Sequence, residues 1–269
     1  MQYRSSQFNR MPPVVLNLIL INVIVYVASY ILQQQHMMSL EDKLGLHYFT
    51  SSLFYPFQFV THMFMHGSIM HIAANMYALW MFGVLLENFW GPRRFLLFYF
   101  VCGIGGGLLF SLVNAIELHQ LHQAVMVVVN HPTDAALNDL INAHPWATEA
   151  TRDAAVNISK QQIPDADAVQ QIAMLLYQGY TDVPAVGASG AIFGLLAAFG
   201  MLFGNTEIAL LFFPIPMKAK YFVLLYAAFE LYAGLTNTEP GVAHFAHLGG
   251  ALFGFILVKI WQRDRRRFY

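Results

Sequence analysis

In "DVPAVGASGAIFGLLAAFG", residues 182–200, a serine stands between small residues at the mouth of an apolar stretch, with no candidate base beside it. A hydroxyl becomes a useful nucleophile when a positioned base removes its proton. A neutral imidazole suits that task, since it can take the proton and return it to a leaving amine. "TEPGVAHFAHLGGALFGF", residues 238–255, supplies such an imidazole, His247, at the entrance of another apolar stretch. In "THMFMHGSIMHIAANMYALWMFG", residues 61–83, His71 and Asn75 are four apart and share one helical face. Both can donate hydrogen bonds to an oxygen that acquires negative charge. Each group also has a plainer reading. Ser189 could cap a helix by accepting a backbone N–H, and His71 and Asn75 could be interhelical polar contacts. His244 shares the helical face of His247, and sequence barely separates the two.

The elements that must hold these groups follow from composition. Residues are 57% hydrophobic and 11% charged, against about a quarter charged in soluble domains, so the chain reads as a polytopic membrane protein. The net charge of −1 offers no global field for nucleic acid. The single cysteine, Cys102, can form neither an intrachain disulfide nor a thiolate metal site with a second cysteine. A spanning helix takes about 20 apolar residues. Six segments qualify: Val14–Leu32, Ile69–Phe89, Phe95–Ile116, Ala188–Gly204, Ala219–Asn237 and Ala243–Trp261. The expected fold is therefore all-α, a polytopic bundle of six transmembrane helices. Its expected divisions are a tail at 1–13, a membrane domain at 14–262 and a basic tail at 263–269. The first segment lacks a small-x-small cleavage site and reads as an uncleaved helix.

Of the 14 lysines and arginines, only Lys43, Arg152 and Lys160 fall outside if the N-terminus is inside. The positive-inside rule then places both termini in the cytoplasm. The fourth and sixth segments both enter from the outer side, and Ser68 reads as the N-cap that starts the second near Ile69. From Ser189 to Gly204 a helix spans roughly 24 Å, less than the hydrocarbon thickness of about 30 Å. Ser189 and His247 are thus expected at a similar depth below the outer surface, with His71 and Asn75 near it. Gly190 with Gly194, and Gly250 with Gly254, form G-x-x-x-G faces that let two backbones approach. The long connection at about 117–183 is polar and acidic, yet Val169, Ile172, Ala173 and Leu176 share a helical face. It reads as a small helical cap on the outer surface, with a lid or substrate-docking role as the other possibility.

His62, His66 and His71 lack the H-E-x-x-H pattern or a carboxylate-bearing equivalent. No metal and no cofactor are therefore expected, and His62 and His66 are read as anchors of the first outer loop. "GASGA" departs from the G-x-S-x-G elbow of soluble hydrolases at Ala191, and no strand precedes it.

At these residues the chain resembles the rhomboid family of intramembrane serine proteases, from about Phe57 to Phe255 apart from the inserted loop. "HGSIMHIAAN", "GASG" and "AHLGGALFG" are similar to the family's H-x-x-x-x-H-x-x-x-N, G-x-S-G and A-H-x-x-G-x-x-x-G. The resemblance implies a six-helix bundle with a water-filled cavity opening outward. It implies Ser189 as nucleophile and His247 as general base in a dyad without aspartate. His71, Asn75 and the Ser189 backbone N–H would form the oxyanion hole. It further implies that Phe193 packs against the dyad histidine, that His66 supports the first loop, and that Gly187, Gly190, Gly250 and Gly254 serve packing. The clear Trp-Arg pair that some members carry in the first outer loop is missing between Gln33 and Gln58. The inserted loop is longer than in the compact bacterial members. The expected activity is hydrolysis of peptide bonds in transmembrane protein substrates near the outer boundary of the lipid bilayer. The expected location is the bacterial inner (plasma) membrane. A catalytically silent relative that binds transmembrane clients is the main alternative, and a small-solute transporter the second.

Overall fold

The computed structural model describes residues 11–143, 166–210, 213–236 and 242–265. The expected tail at 1–13 and the basic tail at 263–269 lie largely outside these residues. The chain divides into two compact units. One comprises Met1–Leu46, Pro56–Phe110 and Ala185–Tyr269; the other comprises His47–Tyr55 and Ser111–Pro184.

In the first unit, helix α1 (Pro13–Gln34) begins with proline at its first helical position, where the missing N–H costs nothing. Its free amides are met from another helix. Glu87 accepts from Val14 N–H at 3.0 Å and Val15 N–H at 2.8 Å, a carboxylate placed at the positive end of the helix dipole. Two short helices follow, α2 (Leu40–Leu44) and α3 (Gln58–Thr61). Helix α4 (Ile69–Trp90) starts where expected, with Ser68 Oγ accepting from His71 N–H at 3.1 Å. It stops at Gly91, whose φ of +79° suits glycine, and Pro92 opens the next helix.

That helix, α5 (Pro92–Asn130), has 39 residues, whereas sequence placed its end at Ile116. The extension has its own apolar face. Leu118, Leu121, Val125 and Val128 are buried in the second unit with residues of α6 (Asp134–Ala143) and α7 (Ala166–Thr181). Val169, Ile172, Ala173 and Leu176 of α7 all belong to this small core, as their spacing predicts. Gln170 Nε2 adds a 2.7 Å bond to the Val129 carbonyl.

Helix α8 (Ser189–Leu202) is the centre of the first unit, buried without interruption from Gly190 to Phe199. A helix apolar on every side needs partners on every side. A hairpin then interrupts the helical order: β1 (Glu207–Leu210) pairs antiparallel with β2 (Phe213–Lys218), Glu207 opposite Lys218. No hydropathy argument had suggested it. Helices α9 (Ala219–Thr236) and α10 (His244–Arg265) complete the unit. Its core gathers Leu79, Phe82, Leu86, Phe95, Phe98, Tyr99 and Phe199. Its outside is apolar too: α1 exposes Leu20, Ile24 and Val27, and α9 exposes Leu224, Leu225 and Leu235. Such faces require lipid rather than water, and helices satisfy their own backbone there.

The all-α membrane bundle therefore holds. Among the described residues, four helices (α1, α4, α5 and α10) are long and apolar enough to cross a membrane. Helix α8, with 14 residues, is shorter than a full span.

Candidate active site

Ser189 is the first residue of α8. Ala188 holds the N-cap position without a side-chain bond, so helix capping does not account for the serine. The approach to it is pinned at two points. Leu46 and Ala185 exchange backbone hydrogen bonds of 2.9 Å, and Gly187 N–H donates to the His62 carbonyl at 2.9 Å. Gly187 has a φ of +127°, a conformation that side chains resist. A Cβ there would lie 2.7 Å from His71 Nε2 and 3.5 Å from Ser189 Oγ. The imidazole and the hydroxyl thus converge on the space that glycine leaves free. The role of Gly187 is to clear this corner, a more local duty than helix packing.

His247 lies in the first turn of α10, 9% exposed. Its ring is stacked on Phe193 with centroids 4.3 Å apart and planes 4° from parallel. Phe193 is one turn after Ser189 on α8, so this stack holds the imidazole against the helix that carries the hydroxyl. Tyr226 of α9 backs Phe193 at 4.9 Å. His71 lies within electrostatic reach of His247. Among the described residues, no hydrogen bond joins Ser189 Oγ to His247; the ring is hydrogen-bonded to a carboxylate instead. Glu230 Oε2 is 2.8 Å from His247 Nδ1 and 2.7 Å from His244 Nδ1.

Glu230 was passed over in the sequence, where a lone acid inside the fifth apolar segment was itself a signal. The expected dyad without aspartate is thus accompanied by a buried glutamate. The same three groups have ligand atoms within 4.8 Å of one another. The weighed trio of His62, His66 and His71 is different. His62 Nδ1 donates to the Gln58 carbonyl at 2.7 Å, and His66 packs edge-on to His71 at 5.0 Å. His62 thereby ties itself to α3, and His66 is buried in the loop before α4. Burial pushes each imidazole down to about 4.

Asn75 is buried one turn below His71, and its Nδ2 donates to the His71 carbonyl at 3.0 Å. The four residues singled out in sequence are therefore arranged unequally. Ser189, His71 and His247 gather at one end of α8, while the Asn75 amide is engaged on its own helix. The glycine faces do what their spacing suggests. A Cβ on Gly250 would collide with the Gly190 carbonyl, and one on Gly254 would come within 2.8 Å of the Gly194 carbonyl. Helices α8 and α10 meet backbone to backbone. A cavity of about 570 Å³ lies at the other end of α8, lined by Gly200–Thr206 and Lys220, away from this cluster.

A family model described as a Rhomboid domain matches residues 54–120 and 167–263, more than half of the chain. Rhomboid protein 1, mitochondrial, of Saccharomyces cerevisiae is 27% identical over 208 residues, covering 76% of this chain and 42% of that protein. An uncharacterized mitochondrial rhomboid protein of Schizosaccharomyces pombe is 28% identical, covering 76% and 51%. RHOMBOID-like protein 12, mitochondrial, of Arabidopsis thaliana is 26% identical, covering 94% and 59%. The chain spans about half the length of the curated relatives it matches.

All three relatives are mitochondrial by name. They overturn the expectation of a bacterial plasma membrane and point to a mitochondrial one. The physical reason for the error is simple: charge asymmetry and segment length report a bilayer and its sidedness, not which membrane it is. With the sequence motifs, the helical membrane fold and the family match in agreement, this chain belongs to the rhomboid family.

Proposed function

We propose that the chain is an intramembrane serine endopeptidase acting on transmembrane protein substrates. One observation carries the reading: His247 lies flat on Phe193, a single turn from Ser189, although the two chemical groups come from different helices. In the proposed reaction Ser189 Oγ attacks the scissile carbonyl carbon while His247 accepts the hydroxyl proton. The tetrahedral intermediate carries its charge on the former carbonyl oxygen. His71 and the Ser189 backbone N–H are its assigned donors, and Asn75 joins them through the amide hydrogen not used on the His71 carbonyl. Collapse breaks the C–N bond, and the proton on His247 passes to the departing amine. Water then adds to the acyl-serine ester by the same route in reverse, regenerating Ser189. A substrate helix must unwind locally before its carbonyls can reach these groups.

The test uses purified protein in detergent with a panel of labelled transmembrane substrates and a fluorophosphonate reagent. Cleavage is expected for the wild type and loss to background for Ser189→Ala and His247→Ala, with the reagent's adduct located on Ser189 by mass spectrometry. Equal cleavage by Ser189→Ala would remove the serine from its role. Absence of both cleavage and labelling would favour a catalytically silent, client-binding relative.

A further inference from the structure

Among the described residues, Glu230 is the buried acid at the site that the proposed hydrolysis leaves unused. It is 3% exposed, on a helix whose outward residues are apolar. A carboxylate at such a position is costly unless it is paired. Here one oxygen meets two imidazoles, His247 Nδ1 at 2.8 Å and His244 Nδ1 at 2.7 Å. An ionised carboxylate only accepts, so each bond requires the proton on Nδ1. In His247 that tautomer leaves a lone pair on Nε2, the state needed to accept a hydroxyl proton. The pairing depends on close approach of α9 and α10. A Cβ on Gly234, one turn beyond Glu230, would lie 3.2 Å from His244 Cβ. His244 Nε2 is buried and has no partner among the described residues, so Glu230 is the polar anchor of that ring.

We propose that Glu230 is a positioning residue for His247, with His244 as the second donor that fixes the carboxylate. It holds His247 in the Nδ1–H tautomer, and its charge stabilises the imidazolium that forms in the transition state. This rests on the serine-protease reading. As Ser189 attacks, the Oγ–H bond breaks and an Nε2–H bond forms on His247. The Nδ1 proton stays on the ring, and Glu230 stays ionised. When the C–N bond breaks, the Nε2 proton leaves with the amine. Among the described residues, the other polar or titratable groups placed near His247 are His71 from α4, His244 from α10 itself and, by way of Phe193, Ser189 of α8 and Tyr226 of α9; α5 presents glycine, Gly106, to the Ala246 carbonyl. A metal ion held by Glu230 and the Nδ1 atoms of His244 and His247 would need the positions that the Nδ1 protons occupy, so that arrangement and the proposed one exclude each other.

The experiment compares wild type, Glu230→Gln and Glu230→Asp in detergent, with Ser189→Ala run in parallel. If the wild type neither cleaves substrate nor takes up fluorophosphonate, the serine-protease reading fails and this inference falls with it. If the wild type does both and Ser189→Ala does neither, that reading stands and the glutamate is tested by itself. Glu230→Gln is then expected to lower kcat by about 10²–10⁴-fold with KM near the wild-type value. Glu230→Asp is expected to recover part of the loss. Wild-type kcat in a folded Glu230→Gln protein would overturn the proposal. Nitrogen-15 NMR of histidine-labelled wild type reads the same point without relying on the variant's folding. His247 is expected to carry its proton on Nδ1, and a resting state protonated on Nε2 overturns the proposal. So would one equivalent of zinc that is retained by the wild type and lost in Glu230→Gln.

Discussion

At the scale of single residues, the site depends on a missing side chain. Gly187 combines a φ of +127° with a neighbour, His71 Nε2, 2.7 Å from where a Cβ would sit. Gly187→Ala is therefore expected to strain the backbone by about 1–3 kcal/mol and to displace His71 from the Ser189 hydroxyl. If His71 stabilises the oxyanion, kcat should fall by about 10²-fold or more, since one such donor contributes on that scale. Steady-state cleavage and the rate of fluorophosphonate labelling would both report it. Unchanged kinetics in a folded Gly187→Ala protein would separate His71 from the chemistry. Phe193 illustrates the opposite case, a residue whose bulk is used. Its stacking on His247 was implied by family resemblance, and the 4.3 Å separation gives it a mechanical content.

At the scale of elements, α8 and α10 are held together by small residues rather than by large apolar ones. Lipid is as apolar as leucine, so helix association inside a bilayer depends on fit and close contact. Gly250 faces the Gly190 backbone with no room for a methyl group, whereas Gly67 in the loop before α4 has nothing within 4 Å of its Cβ position. Gly250→Val is expected to cost about 1–3 kcal/mol or more through overpacking and to lower the apparent melting temperature in detergent. Gly67→Ala is expected to leave it unchanged. A thermal-shift comparison of the two variants is the check, and equal effects would contradict the packing account. The same contact brings His247 towards Ser189, so activity should fall with stability in Gly250→Val.

At the scale of the whole molecule, buried neutral histidines link the fold to pH. Burial lowers His62 from 6.5 to about 4. Above pH 6.5 the imidazole is neutral both folded and unfolded, and its contribution is complete. As pH falls from 6.5 towards 4, the unfolded chain binds a proton that the folded chain refuses, so stability declines. A shift of this size corresponds to about 3 kcal/mol. Apparent melting temperature in detergent is therefore expected to drop across that window, and His62→Gln should flatten the drop. His66, lowered to a similar value, contributes in the same direction and leaves a residual slope. A wild-type profile that is flat between pH 6.5 and 4 would contradict this.

Hydropathy and spacing by themselves determined the solvent of this protein and the helices that face it. The start of α4 at Ile69, the buried face of α7 and the glycine contact between α8 and α10 were all legible, because caps and periodicities are local. The serine, the two histidines and the asparagine were legible as residue types at fixed spacings. Tertiary structure decided which of them meet. It laid His247 on Phe193 and placed Glu230 between two imidazoles. It also carried α5 on to Asn130, where a second core rewards the extra turns. The physical reason is that a polar contact between helices depends on their rotation and crossing. Those are set by packing among many side chains at once, and linear spacing carries no record of them.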